Sequence, residues 1–357
     1  MTFYTTSFKG IGQITVRELR YRYHTDIRKI LTSKVRDYDL TRFNTDLPVT
    51  EFLHLGSIED LFSELLIHPL TGDKKDLQDL QPVVQASPIE SALNLHRQTI
   101  HKSRRKRPTY RVIVQADNAS WRHYRRNDLQ HAVEQAIAGR FPRWKVVPDD
   151  SDLEFWVQQT GKQALIGLRL TDRTMRHRTY KIANMPASLR PTIARALVQL
   201  TNPEDHDVFL DPMCGAGTVL IERALSGRYT RLHGGDIDED AVRHTLENFG
   251  NRHKPRDIRH WDARELPLET DSVDKIATNP PWGRQIGSQA DLRILYKSAL
   301  QEMDRVLKSG GIVVLLTSEW NLLKQTLEQT HLVLSEHIKD IAVLGRRADL
   351  FVLRKWI

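Results

Sequence analysis

The chain has 357 residues, 39% hydrophobic and 27% charged, with a formal net charge of +8, enough material for two or three domains with ordinary cores. Its longest apolar runs, such as residues 312–316, are far short of the ~20 residues that cross a bilayer, and the first ten residues lack the apolar stretch of a signal peptide. A single cysteine, Cys214, excludes an internal disulfide and any cysteine-cluster zinc site, and suits a reducing, cytoplasmic compartment. The charge is uneven: residues 1–90 carry −2, residues 91–200 carry +13 and residues 201–357 carry −3. A basic middle third beside near-neutral flanks points to a polyanion, nucleic acid before an acidic membrane, with a merely solvated basic face as the alternative.

In chain order, residues 1–90 mix short strand-like and helix-like pieces. Phe52, Leu53, His54 and Leu55 read as a strand. Ser57, followed by Glu59, Asp60, Leu61, Leu65 and Leu66, reads as a capped helix. Residues 73–84 are polar and read as a loop or short edge element. From 91 the pattern is α+β: a helix over 91–102, an alternating strand over 110–116, a helix over 127–140, and strands over 152–158 and 165–170. Residues 182–206 form a linker running into a helix, with Pro186 and Pro191 bracketing its start and Leu189, Ile193, Leu197 and Leu200 as its apolar stripe.

From 207 strands and helices alternate. Strands are predicted over 207–211, 232–237, 258–261, 275–278 and 311–317, and helices over 218–226, 239–249, 291–307 and 320–328. Two closing strands are expected over 335–343 and 350–356. Such alternation predicts a parallel sheet covered by helices, with ligands at the carboxyl ends of its strands.

Four motifs sit at those ends. Asp211-Pro-Met-Cys-Gly215-Ala-Gly217-Thr218 lies between strand and helix, and its glycines permit a tight turn and close backbone approach. Leu220 stands where a dinucleotide fingerprint wants a third glycine, and no Gly-Lys-Ser/Thr ending exists, so the loop is a poor phosphate cradle. A plain structural turn is the other reading. Asp236, in Gly234-Gly235-Asp236-Ile237-Asp238, is placed to accept ribose hydroxyls, whereas Asp238 reads as a helix N-cap. Asp262, in Trp261-Asp262-Ala263-Arg264, is an acceptor for an adenine amino group or a surface-turn residue. In Asn279-Pro280-Pro281-Trp282-Gly283 the prolines hold the chain rigid. The Asn279 amide and Pro280 carbonyl then face one point as acceptors, and Trp282 offers a flat face for a base.

In this order on successive strand tips, the motifs resemble the S-adenosylmethionine-dependent class I methyltransferases. The Asn-Pro-Pro-aromatic signature is that of members acting on adenine N6, cytosine N4 or guanine N2. Residues 91–181, ending in Ile166-Gly167-Leu168, Arg178 and Tyr180-Lys181, look like a THUMP domain. The stretch Ala187-Ser188-Leu189-Arg190-Pro191-Thr192-Ile193 is similar to the linker such enzymes place before the catalytic domain. The whole chain resembles THUMP-containing RNA methyltransferases that make N2-methylguanosine in tRNA.

The resemblance implies an α/β chain. A Rossmann-like domain over 207–357, with a mostly parallel seven-stranded sheet whose last strand is antiparallel, follows a ferredoxin-like domain over 1–70, a THUMP domain over 71–181 and a linker helix over 182–206. It implies S-adenosylmethionine as cofactor, with Asp211, Gly215, Gly217 and Thr218 at its methionine end, Asp236 at the ribose, and Asp262 and Ala263 at the adenine. Residues near 189–192 would cover it. Asn279, Pro280 and Trp282 would hold the target base, with Asn279 also touching the cofactor. The Asn-Pro-Pro-Trp form is equally at home in adenine-N6 or rRNA guanine-N2 enzymes. A catalytically silent RNA-binding relative is the reading from another class. The basic run Arg104, Arg105, Lys106, Arg107 and the aromatic-interleaved Arg122, Arg125 and Arg126 are the expected RNA contacts. No metal, no membrane partner and a monomer are expected. Cys214, in the cofactor loop, reads as a small buried thiol.

Overall fold

The structure, a computed structural model, describes residues 1–100, 107–116, 120–183, 185, 188–282, 288–343 and 345–356. The chain forms two compact units, Met1–Met175 and Arg176–Ile357.

The first unit contains β1 (Thr2–Phe8), α1 (Gly12–Tyr23), β2 (Arg28–Val35), β3 (Tyr38–Asn44), β4 (Asp60–Pro69), α2 (Lys75–Ala86), α3 (Ile89–Thr99), β5 (Thr109–Gln115), α4 (Arg126–Arg140), β6 (Lys145–Val146), β7 (Leu153–Thr160) and β8 (Gln163–Arg169). They build one eight-stranded sheet in the order β2-β3-β1-β4-β8-β7-β5-β6. Over β1 to β4 the chain crosses from β1 to β2 through α1 and leaves room for antiparallel β3 between them, the split βαβ of ferredoxin-like folds. The period of two along β1 sends Phe3 into a cluster with Leu19, Phe43, Phe52 and Leu61. Tyr4, on the other face, stacks on Phe62 with ring centroids 4.6 Å apart.

Three local expectations give way here. Phe52 lies in a short 3-10 turn, Val49–His54, with its ring against Phe3 and Phe43. The helix expected after Ser57 is strand β4. Ser57 does not cap: its N–H and hydroxyl donate to the buried Glu18 carboxylate at 3.0 and 2.6 Å. The following residues pair with β1 and β8 on either side, so tertiary pairing overrides the helical spacing of Leu61 and Leu65. Residues 73–84 fall largely in α2, whose Leu77, Leu80 and Val84 pack on the sheet beneath polar outer positions. Asp76 anchors its start by accepting from the Thr71 N–H and hydroxyl, the Gly72 N–H and the Tyr124 hydroxyl.

The second unit contains α5 (Pro191–Leu200), β9 (Val208–Asp211), α6 (Thr218–Ser226), β10 (Arg231–Asp236), α7 (Glu239–Phe249), β11 (Arg256–His260), β12 (Val273–Thr278), α8 (Gln289–Val306), β13 (Leu307–Thr317), α9 (Trp320–Leu327), β14 (Leu332–Val343) and β15 (Arg346–Lys355). The sheet order is β11-β10-β9-β12-β13-β15-β14. The first five are mutually parallel and β15 runs antiparallel to both its neighbours, the Rossmann-like arrangement expected. Central strands covered on both faces read as unbroken apolar runs, and residues 311–317 of β13 are all buried. The strand order reverses between β9 and β12, which opens a crevice at their carboxyl ends. No helix among the described residues is long and apolar enough to cross a membrane.

Candidate active site

At that crevice lies a cavity of about 480 Å³, within the range of small-molecule sites. Its walls come from all four strand-tip motifs, from Met185, Ser188 and Leu189, and from Asp291 and Leu295 of α8.

The loop after β9 is held from three sides. The Cys214 N–H donates to Gly235 O at 2.9 Å, the Thr245 hydroxyl to Gly215 O at 2.7 Å, and the Asn248 amide to Ala216 O at 2.9 Å. Gly215 sits at φ +53°, and its N–H donates to Asp236 Oδ2 at 2.9 Å. Asp211, Gly215 and Thr218 line the cavity, whereas Gly217 starts α6 behind the wall. Asp211 is fully enclosed, and burial, reinforced by the Asp236 charge, pushes its carboxyl up to about 7. Burial likewise drives the Cys214 thiol well above its ordinary value, which leaves it inert.

At the tip of β10, a Cβ on Gly235 would come 2.3 Å from Trp261 Cε2. Only glycine lets Trp261 lie there and donate its indole N–H to Pro212 O at 3.0 Å. Asp236 lines the cavity, with Oδ1 taking the Asp238 N–H at 3.1 Å. Asp238 caps α7 by accepting from the Asp240 N–H. After β11, Asp262 and Ala263 are on the wall. Asp262 is gripped by Arg264, with Nε and Nη2 at 2.9 and 2.6 Å from Oδ2, and these bonds hold its carboxyl below the ordinary value.

At the tip of β12, Asn279 and Pro281 reach the cavity, while Pro280 is buried outside the wall. Trp282 departs from the open platform its sequence position suggested. It is 6% exposed and absent from the wall, its indole N–H donates to Asn279 Oδ1 at 3.0 Å, and the Arg346 guanidinium stands 6.0 Å from its ring centroid. It therefore fixes the Asn279 amide from behind.

Arg178, Tyr180, Ile182 and Ala183 are tied to α6 and α7. The fully buried Glu222 of α6 accepts from Tyr180 Oη at 2.8 Å, Arg195 Nε at 2.9 Å and Arg178 Nε at 3.2 Å. Asn248 of α7 uses its whole amide. Its Oδ1 accepts the Ile182 and Ala183 N–H groups, both at 2.8 Å, and its Nδ2 donates to Ala183 O and Ala216 O. Met185, Ser188 and Leu189 thereby form one wall of the cavity.

Wall residues outside the motifs and the linker stretch 187–193 read from sequence are Met185, Val219, Asp291 and Leu295. Asp291 carried a legible signal, because Ser288 followed three residues later by an acid is a helix-start pattern. The Asp291 N–H donates to Ser288 Oγ at 3.1 Å.

Of the expected RNA contacts, Arg107, Arg125 and Arg126 are exposed in the first unit. Arg122 donates to Gln159 Oε1 at 2.7 Å and lies over the Tyr124 ring. Arg104, Arg105 and Lys106 lie outside the described residues. Among the described residues no group of three or more His, Cys, Asp and Glu side chains is arranged to hold a metal.

Three carboxylates on successive strand tips, an amide, and the apolar surfaces of Leu189, Val219 and Ala263 fit a ligand with a cationic end, vicinal hydroxyls and a planar base. Residues 178–340 match the family described as RMKL-like, methyltransferase domain. Most of the second unit is therefore similar to RMKL-like methyltransferase domains. The tRNA (guanine(6)-N(2))-methyltransferase THUMP3 of Bos taurus is 29% identical over 362 residues, 97% of this chain and 64% of that protein. The tRNA (guanine(6)-N2)-methyltransferase of Thermus thermophilus is 33% identical over 202 residues, 56% of this chain and 59% of that protein. The chain thus spans about three fifths of the length of these two relatives. The crystal structure of TrmN from Thermus thermophilus superimposes with a TM-score of 0.82 at 24% identity, over 99% of both chains. Each of the two units shares its fold with that structure.

Proposed function

We propose that the chain transfers a methyl group from S-adenosylmethionine to the exocyclic N2 amine of a guanosine in tRNA. The observation that carries this reading is Asn279. Its amide is fixed by Trp282 on the wall of a cavity also lined by Asp211, Asp236 and Asp262. The names of the two curated relatives support tRNA and guanine N2.

In this reading Asp236 takes the ribose hydroxyls with its remaining lone pairs, and Asp262 and Ala263 face the adenine. Asp211, Gly215 and Thr218 face the methionine end, with Gly217 shaping the turn. When bound, S-adenosylmethionine supplies the methyl as a sulfonium electrophile. The chain's own groups orient the attacking amine. Asn279 Oδ1 gives one lone pair to Trp282 and keeps the other for an amine N–H, while Pro280, buried off the cavity wall, stiffens the turn that carries the amide. This acceptor opposes the positive charge that grows on nitrogen as it becomes tetrahedral, so it favours the transition state over the ground state. Asn279 is no general base, and the proton leaves to water.

The basic middle third, +13 over residues 91–200, supports RNA capture by a THUMP domain over 71–181. That domain sits between a ferredoxin-like domain over 1–70 and a linker helix over 182–206, with the catalytic domain over 207–357. Arg104, Arg105, Lys106, Arg107, Arg122, Arg125 and Arg126 contact phosphates in this reading. Mass spectrometry of nucleosides from tRNA treated with the protein and labelled cofactor tests it. N2-methylguanosine is the expected product; label in N6-methyladenosine, or in no nucleoside, overturns it.

A further inference from the structure

A second concavity of the methyltransferase unit, about 240 Å³, is lined by Arg176, His177, Arg178, Lys181, Arg190 and Pro191. Three arginines, a lysine and a histidine surround it, and none of these lining residues is acidic. We infer that this concavity binds a phosphate group, in the working protein a backbone phosphodiester of the RNA. The second clause rests on the function proposed above.

Two of the cations are held in place before any ligand arrives. Arg178 is oriented by Glu222, with Nε 3.2 Å from Oε1. Lys181 donates to Leu189 O at 2.7 Å. Burial, with the neighbouring charge of Arg190, pushes the Lys181 ammonium down to about 8, so cations are crowded there in a way an anion relieves. Arg190 is the N-cap of α5 and Pro191 its first residue, and the positive end of a ten-residue helix adds to the same field. Planar guanidinium forks set around a small concavity match phosphate oxygens. Leu189, which accepts from Lys181, also lines the cofactor cavity. One short backbone segment therefore joins a bound phosphate to the wall of the methyl-transfer site, and a nucleotide gripped here is indexed against that site.

Calorimetric titration of the full chain with inorganic phosphate tests the site. Binding to the wild type is expected, with affinity falling about tenfold in Arg190→Gln and in His177→Gln and recovering in Arg190→Lys. In tRNA binding, Arg190→Gln should lower the slope of log affinity against log salt by about one, equally with and without a 5′-phosphate. Equal phosphate affinity in wild type and both glutamine variants, with an unchanged slope, overturns the site. A slope lost only on 5′-phosphorylated RNA overturns the backbone assignment in favour of a terminal phosphate. The phosphate titration needs no methyl transfer, so a wild type that binds phosphate and makes no N2-methylguanosine refutes the proposed function and supports the site.

Discussion

Trp282→Phe separates two roles for this ring. The substitution keeps the aromatic body in its buried place beneath Arg346 and removes one bond, the indole N–H to Asn279 Oδ1 at 3.0 Å. A neutral hydrogen bond of this kind contributes about 0.5–1.5 kcal/mol net. If it holds the amide aimed at the reacting amine, that energy is lost at the transition state. At about 1.4 kcal/mol per tenfold in rate, kcat then falls roughly two- to twelve-fold. Because Trp282 is 6% exposed and stands off the cavity wall, KM for tRNA and Kd for the cofactor should each stay within about twofold. Initial rates of methyl incorporation over a range of tRNA concentrations, at saturating cofactor, give kcat and KM separately. A tenfold rise in KM with kcat unchanged would refute the positioning argument and restore an open stacking platform.

Asn279→Ala should cost kcat far more than cofactor affinity, and methyl transfer within about twofold of wild type would refute its role. Ionised Asp211 faces the cationic end of the ligand in the proposed pose, so cofactor affinity should rise as pH climbs through about 7. The carboxyl is raised from 3.8 to about 7 on folding, so stability of the ligand-free protein should fall over that interval as pH rises, the native state holding the extra proton. Asp211→Asn should flatten both profiles; thermal melts and cofactor titrations across pH check them. Glu222→Gln leaves Arg178 and Arg195 facing a neutral amide in a buried site and should destabilise by about 3–5 kcal/mol, read by urea denaturation; a change under about 1 kcal/mol would contradict it. Gly235→Ala places a methyl 2.3 Å from Trp261 and should cost about 1–3 kcal/mol through overpacking and weaken cofactor binding, an effect refuted by an unchanged melting temperature and Kd.

The second unit was legible because its signals are local. Alternating apolar runs and helical stripes name the strands and helices, and α6 and α7 run over 218–226 and 239–249 as their sequences imply. The aspartates at 211, 236 and 262 converge because parallel strands deliver their tips to one edge. What escaped depended on partners distant in sequence. Ser57 looked like a cap until Glu18, 39 residues away, claimed its hydroxyl. Trp282 looked exposed because nothing near it in sequence reveals Arg346. Residues 73–84 hid a helix because its buried stripe is only Leu77, Leu80 and Val84 among polar neighbours. Met185 and Asp291 join the wall only through chain paths set by Asn248 and Ser288.

Asn248 touches no expected ligand, yet its four bonds span the segment before Met185 and the glycine loop at Ala216. Two stretches of chain more than thirty residues apart thus share a single fastener. They are not interchangeable parts: a front segment transplanted from a relative would dock here only if residue 248 and the backbone it grips travelled with it. Swapping front segments between such proteins is therefore best done with a junction upstream of residue 178, leaving this fastener and the Glu222 cluster on the same side of the cut.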